Sequence, residues 1–420
     1  MVIRRCFESA VLPFAVILTV WGCGERRDQI GVERVRVGDT LFVHSHRPEY
    51  ADTIPMVEVL RIGTVDGPEE YMFSNVRSFA VGPAGDLFVN DYRDGIRHYS
   101  PEGIFLSWLA RQGEGPREIE LAAAMDVSPS GVVAAEDVGN ARISIFHLGD
   151  SVALVPRPEG KPAWSDEDAL LFHTDGTLWV KLNPWWPPPE GITHPRAIYA
   201  RVDVAGQALV DTVFTPANAA EECPTLTEHP FSQGVWQDTR ERWVPKTMWS
   251  WGLNGTFALG CPATYQFTIT KPTGETLKIS RDWTPVHEPE EALRFHEKWG
   301  GMGDVPPTLP AYSQIILPED ARIWVWPTQP SEPVSAPPAV TEMTGVTVRW
   351  WTGTKGAFDV FSPDGHWIGV VKPPDGVEYN GFPTRDAVVI RGDTMWAVAK
   401  DSLDVEYIVR CEVVWPGSMP

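Results

Sequence analysis

Positive charge is in short supply in this 420-residue chain: 35 lysines and arginines stand against 56 aspartates and glutamates, a formal net charge of −21. That balance excludes a basic footprint for nucleic acid. The acidity serves solubility and leaves an acidic groove for cations open. Several signatures of catalysis are missing too. There is no G-x-S-x-G nucleophile elbow, no H-E-x-x-H, no EF-hand loop, and no G-x-G-x-x-G after a strand. RQGEGPRE at 111–118 has two glycines without a dinucleotide pattern and reads as a turn between repeating units. What the chain has in quantity is 39 prolines, 36 glycines and 19 tryptophans. Many turns and many aromatics fit short strands between loops better than long helices. A hydrophobic content of 43% excludes a mostly disordered chain.

The N-terminus carries Arg4 and Arg5, then an apolar stretch from Ala10 to Gly22 broken only by Pro13, then Cys23. That stretch is too short to span a bilayer and has the length of a signal-peptide core. Val20-Trp21-Gly22-Cys23 resembles a bacterial lipobox, with Trp21 departing from the usual small or aliphatic residue. The resemblance implies a signal peptide over 1–22 and lipidation of Cys23. It also implies an anchor and tether over 23–54 and a place in the cell envelope, facing the periplasm or the outer surface. A plain secretory signal with an incidental Cys23 is the alternative. Of the five cysteines, Cys6 leaves with the signal and Cys23 carries lipid, which places Cys223, Cys261 and Cys411 in an oxidising compartment. Three pairings are open. Cys223–Cys261 is the preferred one, because each precedes a proline and the two flank one segment. Cys411, in the alternating strand YIVRCEVV, is read as a buried free thiol.

A unit repeats along the rest of the chain. GDLFVND at 85–91 is matched by GVVAAED at 131–137, each with Asp six residues after Gly, and a basic residue and an apolar run follow both. A third copy starts at Gly176. Looser copies start near Asn254-Gly255, Asp320-Ala321 and Gly392-Asp393. Spacings near 45 residues with alternating strands are what a blade of a β-propeller produces. Pro-x-Gly triplets at 101–103, 272–274 and 363–365 suit turns between the outer two strands of a unit. The count is six units over 55–416, with seven as the alternative because Gly176 and Gly255 are far apart. The alternating stretch 55–63 is expected to pair with the last unit and close the ring. The strand-like VERVRVGDTLFVHS, before it, either packs on the propeller or belongs to the tether.

Gly-x-Leu-Phe-Val-x-Asp, an Arg-bearing strand and a Pro-x-Gly turn resemble NHL-type repeats, and the layout resembles the six-bladed propeller lipoproteins of bacteria. The resemblance covers roughly residues 55–415, supported by LRIGTVDGPEEYMF, RQGEGPRE and FDVFSPDGHWIGVV. It implies an all-β propeller and export more than any particular activity. Some propellers of similar layout are lyases or lactonases with a metal on the axis, so an axial calcium or zinc is the cofactor that this alternative would need. Asn90, Asp91, His98, Glu136, Asp137, His147 and His173 are the residues that could supply it. Asp91 and Asp137 recur at one repeat position, which fits turn capping better than metal binding, and His98 and His147 are read as surface residues. HEPEEALRFHEK at 287–298 reads as a helix with Pro289 in its first turn, and its histidines are too far apart to act as helical i, i+4 ligands.

The residues therefore favour binding over catalysis. Trp185, Trp186, Trp236, Trp243, Trp249, Trp251, Trp350 and Trp351 gather in segments that read as insertions, and most of them are read as covering the sheets and filling gaps between units rather than as ligand platforms. Trp185 and Trp186, held extended by prolines, are the candidate ligand-binding loop, and 327–345 reads as a flexible loop. The expectation is a monomeric, lipid-anchored propeller that binds a protein, peptide or carbohydrate. A purely structural envelope protein is the remaining alternative and predicts a plugged centre.

Overall fold

The computed structural model describes residues 31–92, 94–148, 152–156, 170–182, 198–203, 208–214, 223, 245, 248–299, 308–335, 349–353, 356–374, 388–401, 403 and 405–417. The described chain is all-β apart from one 3-10 turn, Glu69–Tyr71, and one helix, Glu290–Trp299. No helix among these residues is long and apolar enough to cross a membrane.

The strands fall into successive antiparallel runs of four. Run 1 is Val76–Val81, Leu87–Asp91, Gly95–Tyr99 and Phe105–Gln112, and run 2 is Ala122–Val127, Val133–Asp137, Arg142–Phe146 and Val152–Pro156. Run 3 is Leu170–Phe172, Leu178–Leu182, Ile198–Asp203 and Ala208–Phe214. Run 4 is Met248–Trp251, Phe257–Gly260, Gln266–Thr270 and Thr276–Arg281. Run 5 is Tyr312–Ile316, Ile323–Pro327, Phe358–Phe361 and Trp367–Lys372. Run 6 is Val388–Arg391, Thr394–Lys400 and Glu406–Val413, completed from the far end of the chain by Ile54–Ile62. Met56 pairs with Val413 and Ile62 with Ile408, so the first and last parts of the repeat region share one sheet.

The alternation read in the sequence is the reason for this arrangement. Each run sends apolar side chains to both faces, and those faces meet the neighbouring runs in mixed cores. Ala134, Ile143 and Ile145 of run 2 pack with Leu170, Leu178 and Val202 of run 3. Phe88 and Ile96 of run 1 pack with Met125 and Phe146 of run 2.

Polar links join consecutive runs all the way round. The Asn90 side-chain amide donates to the Ala122 carbonyl at 2.9 Å, and Asp126 accepts from the Phe172 N–H at 2.7 Å. The Thr174 N–H meets the Leu253 carbonyl at 2.9 Å, Arg281 pairs with Asp359 at 2.7 Å, and Arg322 pairs with Asp393 at 2.7 Å. The Arg391 guanidinium then donates to the Gly82 carbonyl at 3.1 Å, returning from run 6 to run 1.

Both open readings of the early strand are resolved toward packing. Val32–Val37 and Thr40–Ser45 form a hairpin whose second strand runs parallel to Thr276–Arg281, the outer strand of run 4. This part of 23–54 is built onto the sheet rather than hanging as a tether. The Pro-x-Gly triplets all sit between the third and fourth strands of their runs. The stretch 327–345 is not wholly loop, because Ser331–Ser335 pairs with Arg349–Gly353 as a separate hairpin. Val334 is in register with Trp350 and Pro333 with Trp351 along its backbone. The helix begins at Glu290, just after Pro289, with Glu290 and Glu291 in its first turn, where acidic side chains favour the helix dipole. A Cys223–Cys261 disulfide joins residues 38 apart, and Cys411 is a buried free thiol. Burial pushes that thiol up to about 12.

Candidate functional site

The repeat aspartates work on the inner strands. Asp91 ends the second strand of run 1 and is fully buried. Its carboxylate accepts from the Ser74 N–H (2.8 Å), the Ser74 hydroxyl (2.9 Å) and the Asn75 N–H (2.8 Å), the residues that lead into the first strand. Arg97, also fully buried, donates to Asp91 at 3.0 Å and to Asp94 at 2.8 Å, and lies over the rings of Trp108 and Phe73. Asp137 repeats the device in run 2. It accepts from the Glu120 and Leu121 N–H groups at 3.1 and 3.3 Å, from the Asn140 amide at 2.7 Å and from Arg142 at 3.2 Å. A short carboxylate suits this position because it gathers several strand-end N–H groups at once, and each charge-assisted bond is stronger than a neutral one.

Run 5 carries a buried carboxylate at a different place, on its third strand. Asp359 is buried and receives the Tyr265 hydroxyl (2.5 Å) and the Arg281 guanidinium from run 4. Burial outweighs the nearby cation and raises the Asp359 carboxyl above the usual range, and burial likewise raises the Tyr265 phenol.

With the first strands held this way, their edges enclose a cavity of about 120 Å³. It is lined from the first strand of every run, by Phe79, Met125, Leu170, Trp249, Gln314 and Val389 among others. Asp126 and Arg391 are its ionisable lining residues. Asp126 accepts from the Val127 and Phe172 N–H groups, and Arg391 donates to Gly82, so both serve the links between strands. Trp251, another lining residue, stands edge-on to Trp179 at 5.2 Å and tilted against Phe257 at 4.6 Å, at the seam of runs 3 and 4.

The residues weighed for an axial metal do not converge here. Asn90, Asp91 and Asp137 are taken up by backbone and arginine partners. Glu136 is buried within the second strand of run 2, and the buried His173 packs on Trp179 at 4.1 Å in a hairpin turn. His98 is not the surface residue expected. It is half-buried, stacked on Phe88 at 4.4 Å and 3.2 Å from Asp86, and burial pushes its pKa below the usual value despite that carboxylate. His147 is half-buried. A calcium or zinc ion on the shared axis would need several carboxylate, histidine or carbonyl ligands from different strands. The described lining does not offer that set.

Trp249 and Trp251 also differ from the sequence reading. They belong to the first strand of run 4 and line the cavity, rather than sitting in an insertion. The irregular, proline-bearing residues before them hid the strand. Cys23, Trp185, Trp186, Trp236 and Trp243 lie outside the described residues.

No protein-family model matches the sequence, and no curated protein matches it. Solved structures give low similarities over most of the chain. A Bacteroides fragilis protein described as exported is 13% identical with a TM-score of 0.47, over 90% of this chain and 100% of that one. A Staphylococcus aureus virginiamycin B lyase is 8% identical with a TM-score of 0.40, over 86% of this chain and 100% of that one. A Xanthomonas campestris gluconolactonase is 10% identical with a TM-score of 0.36, over 91% of this chain and 99% of that one. At these scores the likeness transfers nothing about ligand or chemistry to this chain.

Proposed function

We propose that the chain is a six-bladed β-propeller of NHL-like layout. On this reading it is exported, anchored in the cell envelope by lipid on Cys23, and works as a monomeric binding module. Its partner is a protein or peptide that inserts one amphipathic ring, a tyrosyl or tryptophanyl side chain, where the six first strands meet. The carrying observation is the cavity itself, with one wall from each run. Its size decides the ligand class. About 120 Å³ is close to the roughly 150 Å³ that holds a single benzene ring. It falls well below the roughly 300 Å³ or more of sites that engulf a whole drug-sized ligand. Apolar side chains such as Phe79, Leu170 and Val389 suit the ring face, and the polar Ser250, Ser313 and Gln314 suit a hydroxyl or indole N–H at its edge.

This arrangement favours binding over the two alternatives. A lyase or lactonase with an axial metal needs a donor set that the described lining residues do not supply, and a purely structural protein predicts a filled centre. The test is a fluorescence titration of the full chain with N-acetyltyrosinamide, read on its tryptophans. Saturable quenching that vanishes in Ser250→Trp supports the reading, and quenching that is absent or unchanged in that variant refutes it. Anchoring is tested separately. Cys23→Ser should move the chain from the membrane fraction to the soluble one, and a chain that stays with the membrane contradicts the lipid anchor.

A further inference from the structure

The geometry points to a second site, far from the cavity: a divalent transition-metal site formed by His44, His46 and Asp282 on the outer edge of run 4. Its ligand atoms lie within 4.8 Å of one another. Bonds of about 2.1 Å to a shared ion allow separations up to about 4.2 Å, so small side-chain rotations suffice.

Three features make this more than a chance group of polar side chains. First, the backbone fixes it. His44 and His46 are two apart on and just after one strand, so they share a face. Their strand runs parallel to Thr276–Arg281 with His44 opposite Ser280, and the Asp282 N–H donates to the Ser45 carbonyl at 3.0 Å, between the two histidines. Second, each imidazole presents one nitrogen to the same carboxylate. His44 Nε2 is 3.0 Å from Asp282 Oδ1, and His46 Nδ1 is 3.1 Å from Asp282 Oδ2. Third, the opposite nitrogens already have the partners that metal-bound histidines use for orientation. His44 Nδ1 is 2.9 Å from the Ser280 hydroxyl, and His46 Nε2 is 3.1 Å from Glu33 Oε1.

Two imidazoles and one carboxylate suit zinc and its neighbours rather than magnesium or calcium, whose ligands are oxygens. Three protein ligands leave a coordination position for water or for a partner's side chain. Metal here would staple the Val32–Ser45 hairpin to the sheet, joining Glu33, His44 and His46 to residues far along the chain.

The test uses the full chain, purified without a histidine tag and stripped of metal, titrated with Co²⁺ and followed by visible absorption, then by competition with Zn²⁺. One equivalent is expected, with ligand-field bands showing nitrogen ligation. His46→Ala and Asp282→Asn should each weaken binding by at least tenfold, and Glu33→Gln should weaken it less. All of these side chains are at least one-third exposed, so the variants should fold, and unchanged far-ultraviolet dichroism would verify it. A wild-type chain that takes up no equivalent overturns the site, as does equal affinity in the folded variants. Binding that survives in these variants but disappears with Asp126→Asn would place the ion at the cavity instead.

Discussion

On the inner strands of the sheets, Asp91 and Asp137 are fully buried and hold the segments leading into the first strands. At the outer edge, His44, His46 and Asp282 stand partly in solvent, 33%, 46% and 59% exposed, and hold mainly one another. Both groups include strong polar chemistry, but only the outer one has capacity to spare. The inner carboxylates are consumed by architecture, as a buried charge must be if it is not to be costly. Recurrence of an acidic residue in a repeat protein therefore marks a latch before it marks a ligand. Among the described residues, the first strands of the runs line a hollow of about 120 Å³.

Breaking a latch should have the largest effect. Asp91→Ala leaves the fully buried Arg97 with one carboxylate, Asp94, in place of two, and strips the Ser74 and Asn75 N–H groups of their acceptor; it should cost about 3–5 kcal/mol. Asp137→Ala should cost less, because the Arg142 side chain is 13% exposed where Arg97 is 0%. Its guanidinium also donates to the Glu114, Gly115 and Glu118 carbonyls. Urea unfolding of the two variants measures the difference, and equal losses would deny that burial of the arginine sets the scale.

The outer turns give the next contrast. Gly365 and Gly274 both occupy Pro-x-Gly turns at positive φ, 90° and 86°. A Cβ on Gly365 would meet Ile279 of the neighbouring run at 2.9 Å, whereas one on Gly274 meets nothing within 4 Å. Gly274→Ala should cost about 1–2 kcal/mol for the left-handed backbone alone. Gly365→Ala should cost a further 1–3 kcal/mol or so for overpacking. Similar melting shifts in the two would show that the outer turns do not bear on their neighbours.

Smaller still is a gain. The first hairpin of run 5 places Ala321 at φ 61°, where runs 1 to 4 use Gly85, Gly131, Gly176 and Gly255. Ala321→Gly relieves that conformation and should stabilise the chain by up to about 1 kcal/mol, net of the entropy glycine adds to the unfolded state. A lower melting temperature would contradict it. Cys411, fully buried in the core, reports folding through its reactivity. A buried thiol raised to about 12 should resist iodoacetamide at pH 8 until urea unfolds the chain, and labelling of the native chain at the rate of a free thiol would deny its burial.

How much of this was legible depends on distance along the chain. Gly85 to Asp91 and Gly131 to Asp137 announce their hairpins because every residue that makes the unit is local. The two aspartates read as turn caps, and their contacts with Ser74, Asn75, Glu120 and Leu121, 16 or 17 residues earlier, were not legible in that local pattern. Nor was the cavity, since Phe79, Leu170, Trp249 and Val389 come from different units and no short pattern links them. Trp249 and Trp251 were misplaced because the residues before them do not alternate. The outer cluster shows only as H-x-H at 44–46, and nothing in the sequence announces Asp282. Parallel pairing of strands more than 200 residues apart brings it there.

The most direct measurement of the central claim is a crystal structure of the full chain soaked with N-acetyltyrosinamide. One ring is expected between the first strands of the runs, against Leu170, Trp249 and Val389, with no metal beside it. A ring bound elsewhere with the centre left empty, or an ion ligated on the axis by residues of several runs, would contradict it.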